Sequence, residues 1–479
     1  MQLKNLIKNI ECEIRGEGSV SIKALSLNPN DCKNALLFCY KGVKSDGHDY
    51  LEIAQNCGAT ALVVERFLDT ALPQIRVLNT RKVMGPICRD FYLSPNRGLK
   101  MIGVCGTNGK TTTTFMLKQI FEAAGHKVCL IGTSGVMMGS KLLPATLTTP
   151  DPPVLHKLLR QAYDNGCTVV VMEVSAHAMD LDKLEGIRFD MGVFSNLTQD
   201  HLDYFGTMEN YAAAKQKFFD RFCEFCIFNL DNAYGKLFFK SCPSHKIGFG
   251  LMSGEYRASV TKSTLEGSDF SVVKEGNPSL HIKINMAGRF NVYNALSAAA
   301  AANVMGISDN SVIKGLHSLS QVDGRFNVTR FDKVFIVIDY AHSPDGVLNI
   351  LKAVKEVVYG KILTVFGCGG ERDSLKRPIM GRIVAELSDE IIITSDNPRS
   401  ENPDDIIAQI KAGVSHECVC ITDRREAILY ALKSAHPGDT VVILGKGAET
   451  TQEIAGIKYP FCDTSVVHEF FEGGPKESV

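Results

Sequence analysis

Residues 99–123 read LKMIGVCGTNGKTTTTFMLKQIFEA. An apolar strand run stops at Gly106, and helical periodicity starts at Lys110. A buried strand that turns through glycines straight into a helix commits this part of the chain to an α/β layout. It is also the layout of a phosphate-binding loop. The common form places four residues between its first Gly and the Gly-Lys pair, and Val104 stands where that first Gly would be. Only a shorter form is present, Gly106-x-x-Gly109-Lys110-Thr111. Its physics is unchanged. Glycines let backbone N–H groups turn inward, and the helix N-terminus adds its positive end. Gly106, Thr107, Asn108, Gly109, Lys110, Thr111 and Thr112 are therefore candidate nucleotide contacts. Lys110 would neutralise the β- and γ-phosphates, and the Thr111 hydroxyl would hold Mg²⁺. The plainer reading is a glycine-rich turn that starts a helix.

A chain of 479 residues exceeds what one core can organise, so two or three domains are expected. With 45% hydrophobic and 22% charged residues, the composition is that of a soluble globular protein. A net charge of −1 gives no basic stripe for nucleic acid and no acidic tail. No apolar run approaches membrane-spanning length, and MQLKNLIKNIECEIRG lacks a signal-peptide core, so a cytoplasmic protein is expected. The 15 cysteines are odd in number and scattered, which fits reduced thiols. Cys223-x-x-Cys226 has no second pair at zinc spacing and reads as structural.

Three blocks separate by pattern. Residues 1–97 mix short strands (ALLFCYKG, ATALVVER) with helices and end at the linker LSPNRG. Residues 98–327 hold the phosphate loop, the buried strands VVVMEVS and DMGVFSNL, and the Ala-rich helix NVYNALSAAAAANVMG. Residues 328–479 alternate strand and helix from VFIVIDYA to TVVILGKG. That alternation predicts a mainly parallel sheet covered on both faces, with ligands at the carboxyl ends of its strands.

The polar clusters follow those strand ends. Glu173 comes after VVVM, where a buried carboxylate needs a cation or a donor; a metal shared with Thr111 would serve, as would a salt bridge. Asp200, His201 and Asp203 sit in the turn of SNLTQDHLDY, and Lys215 lies on the next helix. His201 suits a second metal ion or a structural role, and Lys215 with Lys217 would also pass for a solvated face. Asn291 and Asn294 share one face of a helix start, suited to adenine or ribose, although Asn291 would also serve as an N-cap. Arg325 in VDGRFN is placed to reach phosphates across a domain boundary, and Asp339 ends a strand in DYAHSPDG. GCGGERD, TSDNPRSENP and LGKGAET bring Arg372, Asp396, Asn397, Arg399 and Glu449 to one end of the last sheet. Two Arg with an Asn suit carboxylates, and Asp with Glu suits an ammonium, which points to an amino acid with more than one carboxylate. Loop capping explains DNPR alone but not three matched loops.

GTNGKTTTT, MEVSAH, SNLTQDHLDY, YAAAK, GRFNVYNALSA, DGRF, DYAHSPDG and FGCGGERD together resemble the Mur ligases, ATP-dependent amide-forming enzymes of peptidoglycan synthesis, over nearly the whole chain. DNPR resembles the signature of the member that adds meso-diaminopimelate to UDP-N-acetylmuramoyl-L-alanyl-D-glutamate. The resemblance implies three α/β domains: a UDP-sugar domain (1–97), a central P-loop-type ATP domain (98–327) and a Rossmann-like amino-acid domain (328–479). It implies Mg²⁺, with ATP as co-substrate, and a cytoplasmic monomer that binds only small molecules. Lys110, Glu173, His201 and Lys215 would be catalytic, and Thr111, Glu173, His201 and carbamylated Lys215 would hold metal. Asn291, Asn294, Arg325 and Asp339 match nucleotide positions. Thr148, Thr149 and Ser175 match the UDP-sugar-peptide site, and Lys183 is a further candidate there. Arg372, Asp396, Asn397, Arg399, Gly445 and Glu449 match the amino-acid pocket. The implied reaction passes through an acyl phosphate, with LSPNRG and DGRFN as hinges.

Four places depart from that pattern. Asn28-Pro29-Asn30 replaces an Asp-Ser-Arg, Leu181 and Lys183 replace a Gln and an Arg, and Ala448 replaces a His. These leave a different carboxylate acceptor, or lysine as the amine, as the competing enzyme. A non-catalytic nucleotide-binding protein would have lost Lys110, Thr111, Glu173, His201 and Lys215, and all five are present. A dinucleotide oxidoreductase is disfavoured, since no G-x-G-x-x-G with an acidic residue downstream follows a strand.

Overall fold

A computed structural model of the chain describes residues 1–42, 45–139, 141–144, 147–274, 279–331 and 333–472. Its strands form three separate α/β sheets and one small hairpin. The first sheet has five short strands, in the order Glu13–Arg15, Gln74–Arg76, Ala61–Val64, Ala35–Phe38, Ala24–Ser26. The last four are parallel. Helix Thr80–Phe91, capped by the Asn79 side chain, closes this unit.

The second sheet has eleven strands. Its parallel centre runs Cys223–Asn229, Phe189–Phe194, Lys100–Cys105, Val169–Val174, Val128–Gly132. Side-chain alternation gives each face its own core. Val170, Met172 and Val174 join one hydrophobic cluster, and Val169 and Val171 join the other. Helices Lys110–Ala123 and Arg289–Val304 pack together over the second face. The run Ala298–Ala302 is buried throughout, and its methyl-sized side chains permit close backbone approach. The sequence patterning did not register strands His245–Gly250, Tyr256–Thr264, Gly267–Lys274 and Leu280–Ile284, which extend this sheet and end it in an antiparallel meander. Their half-exposed, alternating pattern carries a weak apolar signal.

The third sheet orders Asn327–Phe331, Val334–Asp339, Thr440–Leu444, Ile362–Phe366, Glu390–Ile393, Val419–Cys420. Only its first strand is antiparallel. This is the doubly wound layout expected from the strand–helix alternation. Hairpin Thr451–Ile454 with Ile457–Pro460 lies beside its carboxyl end.

Register decides where the loops gather. Cys105 pairs with both Val174 and Phe194, so Gly106, Ser175 and Ser195 leave the second sheet at one level. Leu444 pairs with both Asp339 and Phe366, so Tyr340, Gly367 and Gly445 leave the third sheet together. The two carboxyl ends face one cavity. No helix of the described residues is long and apolar enough to cross a membrane.

Candidate active site

The cavity between the second and third sheets has a volume of about 680 Å³. Its walls include Thr107, Asn108, Gly109, Lys110, Thr111 and Thr112 from the phosphate loop, together with Thr148, Glu173 and His201. Asn291, Asn294, Arg325 and Asp339 line it as well. So do Arg372, Asp396, Asn397, Arg399, Gly445 and Glu449. Gly106, Thr149, Ser175, Lys183 and Lys215 are not part of its lining.

The loop is held from three directions. Gly109 has φ +85°, and a Cβ there would overlap the Asn294 amide oxygen. At Gly106 a Cβ would overlap Ser195 Oγ. These two glycines are thus required by close approach and, at Gly109, by a left-handed backbone. Asn108 N donates to Asn196 Oδ1 at 2.9 Å, and Ser195 Oγ donates to Asn108 O at 2.6 Å. Lys110 Nζ donates to Gly106 O (3.0 Å) and Thr107 O (2.8 Å). Burial, and then the charge of Lys215, lower the Lys110 pKa.

Arg289–Val304 is capped by Gly288, so Asn291 is not the N-cap. Asn291 Nδ2 instead donates to Ala287 O at 2.8 Å, and Asn294 Nδ2 donates to Asn291 Oδ1 at 3.1 Å. Arg325 reaches back from the third sheet, donating to Thr111 Oγ1 at 3.1 Å. Asp339 takes N–H bonds from Phe326 and Ala341, each 2.7 Å, which pin the VDGRF turn to its strand end. Burial raises the Asp339 pKa.

Glu173 is buried at the end of Val169–Val174. Its Oε1 accepts from Thr111 Oγ1 (3.0 Å) and Thr133 N (2.8 Å), and its Oε2 accepts from Thr133 Oγ1 (3.1 Å). A Cβ on Gly132 would overlap that carboxylate, so glycine there makes its room. The salt-bridge alternative for Glu173 is absent among the described residues; hydroxyls and an N–H meet it instead. No group of three His, Cys, Asp or Glu among the described residues forms a closed metal cage. A carboxylate and a hydroxyl opening on a phosphate loop do fit Mg²⁺, which keeps several waters and shares phosphate oxygens. His201 stands at φ +56°, its ring 5.0 Å from that of His177, and burial brings its pKa down to about 4. The neutral imidazole is the ligating form.

Lys215 is almost fully buried, whereas Lys217 on the same helix is exposed. Its Nζ donates to Gly106 O at 2.8 Å and lies 4.6 Å from the Tyr211 ring centroid. Among the described residues no carboxylate pairs with it, and burial lowers its pKa. Thr148 Oγ1 lies 3.0 Å from Thr133 Oγ1. Thr149 Oγ1 donates to Glu173 O (2.9 Å) and accepts from Ser175 N (3.0 Å). Lys183 is buried against Asp151 at 2.9 Å, which ties the LTTPD segment down.

At the far end Asn397 Nδ2 donates to Glu449 Oε2 at 2.8 Å, and Arg399 donates to Gly370 O at 2.5 Å. Sequence patterning passed over Thr133, Asp345 and Lys446. Asp345 accepts from Asn108 Nδ2 and Thr198 Oγ1, while Lys446 is buried beside Asn397 and Glu449. A signal existed for two of them, since Asp345 and Lys446 lie inside the flagged segments DYAHSPDG and LGKGAET.

The model of the Mur ligase middle domain matches residues 104–302, and that of the Mur ligase, glutamate ligase domain matches residues 324–447. The UDP-N-acetylmuramoyl-L-alanyl-D-glutamate--2,6-diaminopimelate ligase 1 of Clostridium acetobutylicum is 40% identical over 482 residues, covering 98% of this chain and 99% of that protein. The ligase of that name from Aquifex aeolicus is 41% identical over 456 residues, 94% of each chain. A solved structure of UDP-N-acetylmuramoyl-L-alanyl-D-glutamate--2,6-diaminopimelate ligase shares 30% identity and a TM-score of 0.71, with 99% of both chains covered. Sequence, fold and the phosphate-loop cavity agree, and the chain belongs to the Mur ligase family.

Proposed function

We propose that this chain is the ATP-dependent ligase that joins meso-diaminopimelate to the D-Glu γ-carboxylate of UDP-N-acetylmuramoyl-L-alanyl-D-glutamate. The observation that carries the reading is one cavity with a phosphate loop at one end and Arg372, Asp396, Asn397, Arg399 and Glu449 at the other. Residues 1–97 serve as the UDP-sugar domain, 98–327 as the ATP domain and 328–479 as the amino-acid domain, in a monomer.

A carboxylate is a poor electrophile until one oxygen becomes a good leaving group. The γ-carboxylate oxygen attacks the γ-phosphorus, the bond to ADP breaks, and an acyl phosphate forms. The diaminopimelate nitrogen then attacks the acyl carbon, loses its proton, and phosphate leaves as the C–O bond breaks. Lys110, Arg325 and the loop N–H groups stabilise the charge on the transferring phosphoryl group. Asn291 and Asn294 support the nucleotide side, and Asp339 fixes the turn that aims Arg325. Thr148, Thr149, Ser175 and Lys183 shape the acceptor's approach. Thr111 and Glu173 would hold Mg²⁺, which when bound neutralises phosphate charge, and His201 would hold a second ion. Lys215 has the surroundings for carbamylation: a buried amine of lowered pKa adds CO₂, releases a proton, and becomes an oxygen ligand. Closure of the two sheets over the reacting groups would exclude water from the acyl phosphate.

The test follows phosphate release and product mass with ATP, Mg²⁺ and the UDP-muramyl dipeptide, plus meso-diaminopimelate, L-lysine or neither. A mass increase with diaminopimelate and little with lysine supports the reading. No product with either, from protein that binds ATP, would move the acceptor to another carboxylate, with Asn28-Pro29-Asn30 and Leu181 as the marks of that change.

A further inference from the structure

Lys446 follows the strand Thr440–Leu444 and is 0% exposed. It does not line the cavity, although its neighbours Gly445 and Glu449 do. Its Nζ meets three acceptors: Asn397 Oδ1 at 3.0 Å, Glu449 Oε2 at 2.9 Å and Thr451 O at 2.8 Å. An ammonium has three protons, so its donors are all used by the protein. A buried lysine placed in this way is unavailable to a ligand and acts only through the groups it holds.

Two of those groups face the cavity. Asn397 Oδ1 also accepts from Glu453 N at 2.9 Å, which fills its second lone pair. The amide is therefore locked with its oxygen toward Lys446 and its nitrogen toward Glu449. One amide proton goes to Glu449 Oε2 at 2.8 Å, and among the described residues the other meets no acceptor. Glu449 Oε2 is taken up by Lys446 and Asn397, and among the described residues no donor reaches its Oε1. What faces the cavity is thus one amide N–H for a carboxylate and one carboxylate oxygen for an ammonium, a few ångströms apart.

We propose that Lys446 is a positioning residue for the amino-acid substrate, which orients the Asn397 amide and the Glu449 carboxylate through the hydrogen bonds of its ammonium. The proposal rests on the reading that this end of the cavity takes an amino acid with a free ammonium and more than one carboxylate.

The experiment compares wild type with Lys446→Met, Lys446→Gln, Lys446→Arg, Glu449→Gln and the double variant Lys446→Met/Glu449→Gln. Initial rates are measured as meso-diaminopimelate, ATP and the UDP-muramyl dipeptide are varied in turn, with a thermal melt for each variant. Lys446→Met is expected to raise the KM for diaminopimelate about ten- to a hundredfold, the loss expected for hydrogen bonds to a charged group. The KM for ATP should stay within about twofold, and adding Glu449→Gln should cost less than the product of the single effects. A diaminopimelate KM near that of wild type would overturn the proposal. So would equal rises in all three KM values with a lowered melting temperature, which is what a purely structural lysine gives. If Lys446→Met fails to fold, Lys446→Arg must lie nearer wild type in diaminopimelate KM than Lys446→Gln, and equal values overturn the idea. Wild type that makes no product from diaminopimelate removes the functional reading and this proposal together, whereas wild-type turnover with unaffected variants removes this proposal alone.

Discussion

Asp345 Oδ2 accepts a hydrogen bond from Asn108 Nδ2 at 2.9 Å, although 237 residues separate them. The carboxylate sits in the first turn of helix Pro344–Lys355, and the amide is in the phosphate loop. Thr198 Oγ1 donates to the same oxygen at 3.2 Å. The pair latches helix Pro344–Lys355 of the third sheet's unit onto the phosphate loop of the second. Asp345→Ala should loosen that closure and let water reach the acyl phosphate. More phosphate should then be released than amide product formed, and the ratio of the two measured in one reaction checks it.

Arg325 makes the second bridge, 3.1 Å from its guanidinium to Thr111 Oγ1, with the Tyr340 ring centroid 4.8 Å from its Cζ. Arg325→Ala should lower kcat/KM for ATP by about ten- to a hundredfold, the worth of one hydrogen bond to a charged group. The melting temperature should change little. Steady-state kinetics with ATP varied decide the matter, and an unaltered kcat/KM would place Arg325 outside phosphate handling.

Arg399 adopts φ +52°, a left-handed conformation that costs a non-glycine residue about 1 kcal/mol or more. A side chain held at that cost suits recognition of a second carboxylate, which lysine lacks. Arg399→Ala and Arg399→Gly should both reduce the preference for diaminopimelate over lysine by about tenfold or more. Arg399→Gly should melt at the higher temperature of the two, because glycine relieves the backbone. Competition between the two amino acids, read by product mass, gives the first result and thermal melts the second.

His156 is fully buried on helix Pro152–Asp164, and neither ring nitrogen has a partner among the described residues. Burial, then the charge of Arg89, push its pKa down to about 4 from an ordinary 6.5. The folded state therefore refuses a proton that the unfolded state accepts. Stability from this residue is complete above pH 6.5 and is lost as pH falls toward 4, by about 3 kcal/mol in the limit. His156→Leu should flatten the fall in unfolding free energy between pH 7 and pH 4.5, measured by denaturant titration. An equally steep fall in the variant would mean that other groups carry the acid sensitivity.

Local chemistry made much of this legible. Apolar runs of five or six residues ending in Gly, Ser or Asp announce buried parallel strands with loops at their carboxyl ends, because period and punctuation are properties of neighbouring residues. Lys110, Thr111, Glu173, Arg325, Asp339, Asn397 and Arg399 could all be picked out as strand-end or turn residues. The antiparallel meander from Tyr256 to Ile284 was missed because half-exposed strands alternate too weakly to stand out.

The sequence by itself determined the buried parallel strands with their helices, the phosphate loop and most of the polar groups at the strand ends. Only the tertiary structure decided which of them meet. Lys215 and Lys217 are chemically alike and two residues apart, yet one is sealed beneath the loop and the other is in solvent. Asn291 could cap a helix or face a ligand until Gly288 took the cap. Asp345 meets Asn108, Arg325 meets Thr111 and Lys446 holds Asn397, pairs from distant loops whose register comes from sheet pairing. A side chain's partner across such a separation is set by how strands order and how two sheets face each other. That is a property of the packed whole and leaves no periodic trace in the residues on either side.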